Sequence, residues 1–209
     1  YESICYARNF ITGKVYNSRW ILERAIRDYP MRVDRERLKE KSHFLYQSLE
    51  NIRSCDDSSI LLGLEGEAAS VYFSVFDELI LQQKDSFYFH GRNKRPPLDR
   101  VNAMLSFAYS LLAGMCGSAL EGVGLDPYVG FYHADRPGRI SLALDLMEEL
   151  RGVMADRFVL TMINKRVMKE THFIEKEDGA VLLNDAGRKV FLSAWQERKQ
   201  DQCLTQRSN

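Results

Sequence analysis

Two acids and a histidine in one stretch of the chain could together bind a metal ion. Asp145 and Glu148 lie three residues apart in LALDLMEEL (142–150), whose apolar spacing predicts a helix with both carboxylates on one side. His133 follows the aromatic segment YVGFY and opens a loop broken by proline and glycine. Taken alone, the acids also fit the solvent-exposed face of an amphipathic helix, and the histidine also fits a packed loop. Both interpretations stay open on these residues.

Glu65 is an acid at a position that the helical pattern assigns to the protein core. A carboxylate buried without a partner is strongly destabilising, so it needs an arginine, a proton or a metal ion. The pattern therefore leaves two alternatives, a structural ion pair and a functional carboxylate. Glu65 shares its helix face with four apolar residues, which are Leu61, Ala68, Tyr72 and Phe76.

The types of these side chains indicate which metal ion they would bind. Carboxylate oxygens with a single imidazole suit Mg²⁺ or Mn²⁺, and Mn²⁺ accepts the nitrogen ligand more readily. A structural zinc site would use more cysteine and histidine. The set Glu65, His133 and Glu148, with Asp145 beside it, is therefore a candidate site for Mn²⁺ or Mg²⁺ if the fold brings it together.

Other catalytic arrangements have less support in the sequence. A di-iron helical bundle uses two Glu-x-x-His pairs, and here we find one, Glu40 with His43. The nucleophile elbow G-x-S-x-G and the glycine-rich nucleotide-binding motifs are absent. The four cysteines are scattered without a C-x-x-C pair, which favours neither a zinc cluster nor disulfides and fits a reducing cytoplasm.

The charges are balanced overall but unevenly distributed. There are 29 basic and 29 acidic residues, while the first 53 residues carry eleven basic against seven acidic ones. The loop GRNKRPPLDR (91–100) adds Arg92, Lys94 and Arg95. These side chains are either solvated or placed to contact phosphates. The sequence has no stretch of about 18 uncharged apolar residues, so we expect no contact with a membrane.

Helical periodicity dominates the chain and predicts an all-α fold with one small β-hairpin near the C-terminus. The hairpin is THFIEKEDGAVLL (171–183), with Asp178-Gly179 as its turn. We predict a single domain over residues 1–199, with lead-in helices over 1–59, a core over 60–195 and a disordered tail over 200–209. The predicted helices cover residues 17–29, 34–52, 60–83, 99–120, 141–168 and 184–199.

Four ordered segments resemble the universal CRISPR-associated integrase family. They are GLEGEAASVYF (63–73), GRNKRPPLDRVNAMLSFAYSLL (91–112), GLDPYVGFYHADRPGRISLALDLMEELR (124–151) and LNDAGRKVFLSAW (183–195). The resemblance implies a mainly helical catalytic lobe with one divalent ion. It also implies a DNA endonuclease and integrase activity that inserts new spacers into CRISPR arrays. The family's N-terminal β-rich domain is expected to be absent.

The resemblance also assigns roles to individual residues. It implies that Glu65, His133 and Glu148 are the metal ligands, where the family often has Asp at the last position, and that Asp145 is a neighbouring catalytic acid. Phosphates would be held by Arg92, Lys94, Arg95 and Arg139. The implied partners are double-stranded DNA (protospacer and CRISPR repeat), a second copy of the chain and a small companion adaptation protein. The alternative is a non-catalytic helical interaction module with Glu65 in a structural ion pair.

Overall fold

The computed structural model describes residues 2–93, 95–134 and 136–206. The backbone forms two compact units, one of Tyr1–Leu79 with Phe107–Arg157 and one of Ile80–Ser106 with Phe158–Asn209. Helices make up most of the first unit and a large part of the second, and the described residues contain one two-stranded sheet. The predicted fold class is therefore confirmed. Two compact units do not decide whether residues 1–199 fold as one domain, so that boundary stays a prediction.

The first unit is built from helices that pack through apolar stripes, and two of them begin at side-chain caps. Asp34 caps one helix by accepting the backbone N–H of Arg37, and Asp57 caps the next by accepting those of Ser59 and Ile60. The first helix of the chain packs against both of these helices and against the helix that carries Asp145 and Glu148. In chain order the helices are α1 (Glu2–Asp28), α2 (Arg35–Arg53), α3 (Ser58–Phe73), α4 (Arg100–Gly122) and α5 (Ser141–Leu150).

Among the helices before residue 100, two have boundaries that differ from the predicted ones. α1 begins at Glu2 instead of residue 17, because its buried stripe starts with Ala7 and Ile11 and continues through Val15 and Leu22. α3 ends at Phe73, and a short 3-10 turn follows over Phe76–Leu79, so the apolar segment predicted as one helix to residue 83 is divided. The remaining predicted starts, including the Asp99 cap of α4, are confirmed within a few residues.

The second unit contains the hairpin and the last two helices. Strands β1 (Phe173–Glu175) and β2 (Val181–Leu183) pair antiparallel. Gly179 in the turn has φ of +79°, a left-handed conformation that glycine adopts without strain. The helices are α6 (Arg157–Asn164) and α7 (Asp185–Gln206). Residues 200–206 are thus helical where a disordered tail was predicted, and residues 207–209 lie outside the described residues.

The segment predicted as one helix over 141–168 is interrupted after α5. Residues Arg151–Asp156 form a π-helical turn before α6 begins. The turn contains Gly152, where a Cβ atom would lie 3.1 Å from Ile21 Cδ1 of α1. Single π-turns within helices are rare and often accompany functional sites, since they redirect side chains without ending the helix.

α1 and α5 approach each other closely at Gly13. A Cβ atom at this position would lie 2.8 Å from Glu149 Cβ and 3.7 Å from Glu149 Cα. Neither of these atoms can move without moving the backbone of α5. The contact is extended by the Asn17 side chain, which donates a hydrogen bond to the Glu149 carbonyl at 2.7 Å. The next residue along α1, Lys14, is therefore held beside the acids of α5.

α4 is long and apolar enough to cross a membrane, judged by length and composition alone, and it is the one such helix in the described parts of the chain. Half of its apolar window is buried inside the protein. A helix in a protein core needs the same apolar side chains, so these two properties do not distinguish a core helix from a membrane span.

Replacing Gly13 with alanine should destabilise the protein by about 1–3 kcal/mol, since the added methyl group overpacks the α1–α5 contact. Urea unfolding of Gly13→Ala measures this change. The matched control is Gly114→Ala in α4, where a Cβ atom would meet nothing within 4 Å. That variant should be more stable by about 0.5–1 kcal/mol, because alanine favours a helix interior over glycine. Equal effects in the two variants would show that Gly13 does not set the helix spacing.

Candidate metal centre

Asp145 fixes the position of the histidine loop. Its carboxylate is fully buried and accepts three consecutive backbone N–H groups, from Phe131 at 2.6 Å, Tyr132 at 2.9 Å and His133 at 2.9 Å. The chain reaches this position through Gly130, where a Cβ atom would lie 2.7 Å from both the His133 carbonyl oxygen and Ser141 Cβ. The loop is thereby held against the first turns of α5.

The same carboxylate orients the imidazole of His133. The distance from His133 Nδ1 to Asp145 Oδ1 is 2.6 Å, so Nδ1 carries the proton in the neutral ring. The opposite nitrogen, Nε2, then presents its lone pair and lies 3.9 Å from Glu148 Oε1. A carboxylate behind a histidine is the usual arrangement for a metal-binding imidazole, because it fixes the tautomer and raises the basicity of the ligand.

Lys14 joins the two glutamates. Its Nζ atom forms a short ion pair with Glu65 Oε1 and lies 2.8 Å from Glu148 Oε2. The Glu148 side chain is 3% exposed, Lys14 is 12% exposed and Glu65 is 17% exposed. Arg151 adds a second cation, with Nη1 3.3 Å from Glu148 Oε2. The buried carboxylates are thus gathered around a positive charge.

These surroundings favour the ionised forms of Glu148 and Asp145 despite their burial. Burial alone would raise the pKa of Glu148, but the charges of Lys14 and Arg151 hold it below the usual glutamate value. Burial likewise opposes ionisation of Asp145, yet the hydrogen bonds from His133 and from the loop N–H groups lower its pKa. By contrast, burial and the nearby carboxylates of Glu65 and Glu148 raise the pKa of the Tyr132 hydroxyl.

A further buried acid, Asp156, lies at the end of the π-turn. Its carboxylate accepts hydrogen bonds from Tyr72 at 3.1 Å and Tyr109 at 2.6 Å. Burial raises its pKa, although both hydroxyls and the charges of Arg151 and Lys14 act in the opposite direction. The guanidinium of Arg151 lies 4.7 Å from the centre of the Tyr109 ring, a cation–π contact that fixes its plane.

The structure decides between interpretations that the sequence left open. Asp145 and Glu148 do not form a solvent-exposed face, because they are 0% and 2% exposed. Glu65 has an ion-pair partner, but it is Lys14 and not the arginine that the sequence suggested. Lys14 is a site residue that the sequence analysis missed, because it was grouped with the N-terminal basic residues that are either solvated or placed to contact phosphates. Lys14 lies three residues after Ile11 and four residues before Ser18. Because both of these residues are buried, the helical period places Lys14 on the buried stripe of α1.

The candidate ligands fit a divalent ion in kind, although their present spacing is set by a lysine. Two carboxylates hold one ammonium group between them, and the imidazole Nε2 of His133 lies 3.9 Å from one of these carboxylates. Among the residues that the structure describes, no three His, Cys, Asp or Glu side chains are already spaced around a metal ion. The donor types therefore suit a divalent metal ion, whereas their present spacing does not.

The residues predicted to hold phosphates differ in their surroundings. Arg92 is engaged within the second unit, where it donates hydrogen bonds to Asn102 Oδ1 at 2.6 Å and to Ser106 Oγ at 3.1 Å. Arg95 is exposed, and Arg139 is partly exposed in the loop before α5. Lys94 lies outside the described residues. Of this predicted set, Arg95 and Arg139 are thus the better placed for phosphate contact.

A protein-family model matches nearly the whole chain. The model described as CRISPR associated protein Cas1 aligns with residues 1–197. The chain belongs to this family. It is 48% identical over 201 residues to a CRISPR-associated endonuclease Cas1 of Chlorobaculum tepidum, covering 96% of this chain and 59% of the relative. It is 50% identical over 199 residues to a Cas1 endonuclease of Rhodospirillum rubrum, covering 93% and 58%.

A solved structure is similar in fold and in sequence. The structure of a casposase bound to integration product matches 93% of this chain and 52% of that protein, with a TM-score of 0.79 and 28% identity. The chain therefore spans little more than half the length of the casposase and about three fifths of the two Cas1 endonucleases. The comparisons confirm the family that the sequence segments suggested.

Replacing Asp145 with asparagine should destabilise the protein by about 1.5–3 kcal/mol at pH 7, as expected when a buried charged acceptor is lost. An amide offers one oxygen for three N–H donors and turns its own NH₂ group towards them. Urea unfolding at pH 7 measures this loss. The control is Asp126→Asn, because the exposed Asp126 carboxylate accepts one loop N–H at 2.9 Å. This substitution should change the free energy of unfolding by no more than about 0.5 kcal/mol.

The difference between wild type and Asp145→Asn should shrink in acid. Because the folded-state pKa of Asp145 is lowered, its stabilisation is complete above the unfolded pKa of about 3.9 and is lost as the pH falls through the folded value. Unfolding curves between pH 7 and pH 3 measure this convergence. A gap that stays constant over this range would contradict the ionised clamp.

Proposed function

We propose that this chain is the metal-dependent DNA endonuclease and integrase lobe of a spacer-acquisition protein. It would insert new spacer DNA into CRISPR arrays by phosphodiester transfer. The observation that carries the proposal is the His133–Asp145 pair, which points Nε2 towards Glu148, beside Glu65. Two Cas1 relatives bear the name endonuclease, and the related casposase was solved with an integration product.

Each residue of the site has a proposed role. Glu65, His133 and Glu148 would hold one Mn²⁺ or Mg²⁺, and Asp145 would orient the histidine and keep its Nε2 free for the ion. When bound, the ion would stabilise negative charge on the scissile phosphate during attack by a 3′-hydroxyl or by water. Arg151, whose guanidinium lies 3.3 Å from Glu148, would add positive charge beside that phosphate.

The proposed substrates are the double-stranded DNA of the protospacer and of the CRISPR repeat. Arg95 and Arg139 would contact phosphates, which fixes the position of the duplex without reading its sequence. Arg92 supports the loop before α4 through its internal hydrogen bonds. A second copy of the chain and a small companion adaptation protein stay the proposed protein partners, and a cytoplasmic location stays the proposed compartment.

The second candidate function is a non-catalytic helical interaction module. It is favoured by one observation, the Lys14–Glu65 ion pair, which compensates the buried charge without any metal ion. Under this alternative, neutralising Glu65 should remove a structural contact and lower stability, and divalent ions should have no effect on the protein.

Glu65→Gln and Glu148→Gln should each abolish DNA cleavage in Mn²⁺ or Mg²⁺, because both remove a charged oxygen ligand. Nicking of a supercoiled plasmid, followed with increasing metal concentration, measures this loss. Glu67→Gln is the matched control, since Glu67 lies in the same helix two residues away and is exposed. Full activity in either ligand variant would rule out the proposed metal site, whereas an inactive wild type that ignores both ions would favour the interaction module.

Reversing the charges of Arg95 and Arg139 to glutamate should weaken DNA binding by a similar factor for all sequences. Each lost phosphate contact should flatten the dependence of log K on log salt by about one unit. Fluorescence anisotropy with two unrelated duplexes at several salt concentrations measures both quantities. The control is Lys165→Glu with Lys189→Glu, which changes the net charge equally at two other exposed positions. A loss confined to one duplex would contradict phosphate binding.

A further inference from the structure

A metal ion cannot bind between Glu65 and Glu148 while Lys14 stays in its present position. Its ammonium group contacts one oxygen of Glu65 and lies 2.8 Å from Glu148 Oε2, the two carboxylates proposed as ligands. A divalent ion in the same place would need oxygens at about 2.0–2.2 Å. The ammonium and the ion would then occupy overlapping positions between like-charged groups, so one must leave when the other arrives.

The second cation of the site, Arg151, differs from Lys14 in its contacts and in the shape of its charged group. Arg151 lies 3.3 Å from Glu148 Oε2, and its guanidinium is also placed against the Tyr109 ring at 4.7 Å. Lysine has a flexible four-carbon stem and a compact charge without a fixed plane, so its head can be relocated by bond rotations alone. Of the two cations, Lys14 is therefore the one whose charged group can be relocated more readily.

The structure provides a second place for the ammonium group. A small cavity in the first unit opens beside the lysine stem and has a carboxylate in its wall. Asp156 supplies that carboxylate, which is buried and at present accepts hydrogen bonds from two tyrosine hydroxyls. The residues that line the cavity include Lys14, Ala68, Tyr72, Tyr109, Arg151 and Asp156.

We propose that Lys14 is a positioning residue with two locations. Without metal, its ammonium holds Glu65 and Glu148 together and compensates their charge. When the divalent ion binds, the ammonium moves to the cavity and pairs with Asp156, which lowers the cost of its displacement. This inference rests on the proposed metal-dependent function, and it makes Lys14 an internal competitor that sets how tightly the site binds metal.

Lys14→Met tests the competition, because methionine keeps an unbranched stem and removes the charge. The metal-free variant should melt at a lower temperature than wild type, since two buried carboxylates then face each other without their shared cation. Its affinity for Mn²⁺, measured by isothermal titration calorimetry, should be at least tenfold higher. Lys39→Met is the control, a lysine whose partner Glu36 is exposed, and it should leave both quantities unchanged.

Asp156→Asn tests the second location through a double-mutant cycle. With Lys14 present, this substitution should weaken Mn²⁺ binding several-fold, because the displaced ammonium loses its carboxylate. In the Lys14→Met background the same substitution should leave the Mn²⁺ affinity unchanged. An equal loss in both backgrounds would overturn the proposed move to the cavity.

The outcomes separate this inference from the proposed function. A wild-type protein that does not bind Mn²⁺ at all overturns both. A wild type that binds Mn²⁺, with a Lys14→Met variant that binds equally or more weakly, overturns the competition and leaves the metal site standing. A Lys14→Met variant that folds only when Mn²⁺ is present supports the competition. If that variant does not fold in either condition, Lys14→Gln must bind Mn²⁺ more tightly than wild type, or the inference fails.

Discussion

The compensation of buried negative charge is the constraint on which the rest of the first unit depends. Asp145, Glu148 and Asp156 are almost completely removed from solvent, and Glu65 is close to them. Like charges in a medium of low polarity repel strongly, so such a cluster is stable only when each member has its own partner. The packing of the helices places those partners beside the acids.

Each acid is compensated by a different kind of group, and this separates their roles. Backbone amides stabilise Asp145, a lysine and an arginine stabilise Glu148, and tyrosine hydroxyls serve Asp156. Amides and hydroxyls are fixed by the surrounding fold, so the groups they serve have a permanent environment. The ammonium of Lys14 is the exception, because its stem can move while α1 stays in place. The site therefore combines a rigid frame with one exchangeable charge.

Local sequence patterns predicted the elements well, but not the environment of the acids. The Asp99 cap, the Asp178-Gly179 turn and the core position of Glu65's helix face are encoded within a few residues, and so they could be deduced. The burial of Asp145 and Glu148 depends on loop amides that precede Asp145 by 12 to 14 residues and on α1, which lies far away along the chain. An amphipathic pattern cannot distinguish a helix face that contacts water from one that contacts a lysine. For the same reason, Lys14 was grouped with basic residues that are either solvated or in contact with phosphates.

The clamp on the histidine loop has a consequence for which changes the loop can tolerate. Asp145 binds the backbone of residues 131–133 and not the side chains of Phe131 and Tyr132. The backbone hydrogen bonds of this clamp therefore do not depend on which side chains stand at these two positions, except that proline has no N–H to donate. Insertions and deletions have the opposite effect, since a shift by one residue presents a different ring to Glu148. The clamp therefore depends more on the number of residues between Gly130 and His133 than on the identity of those residues.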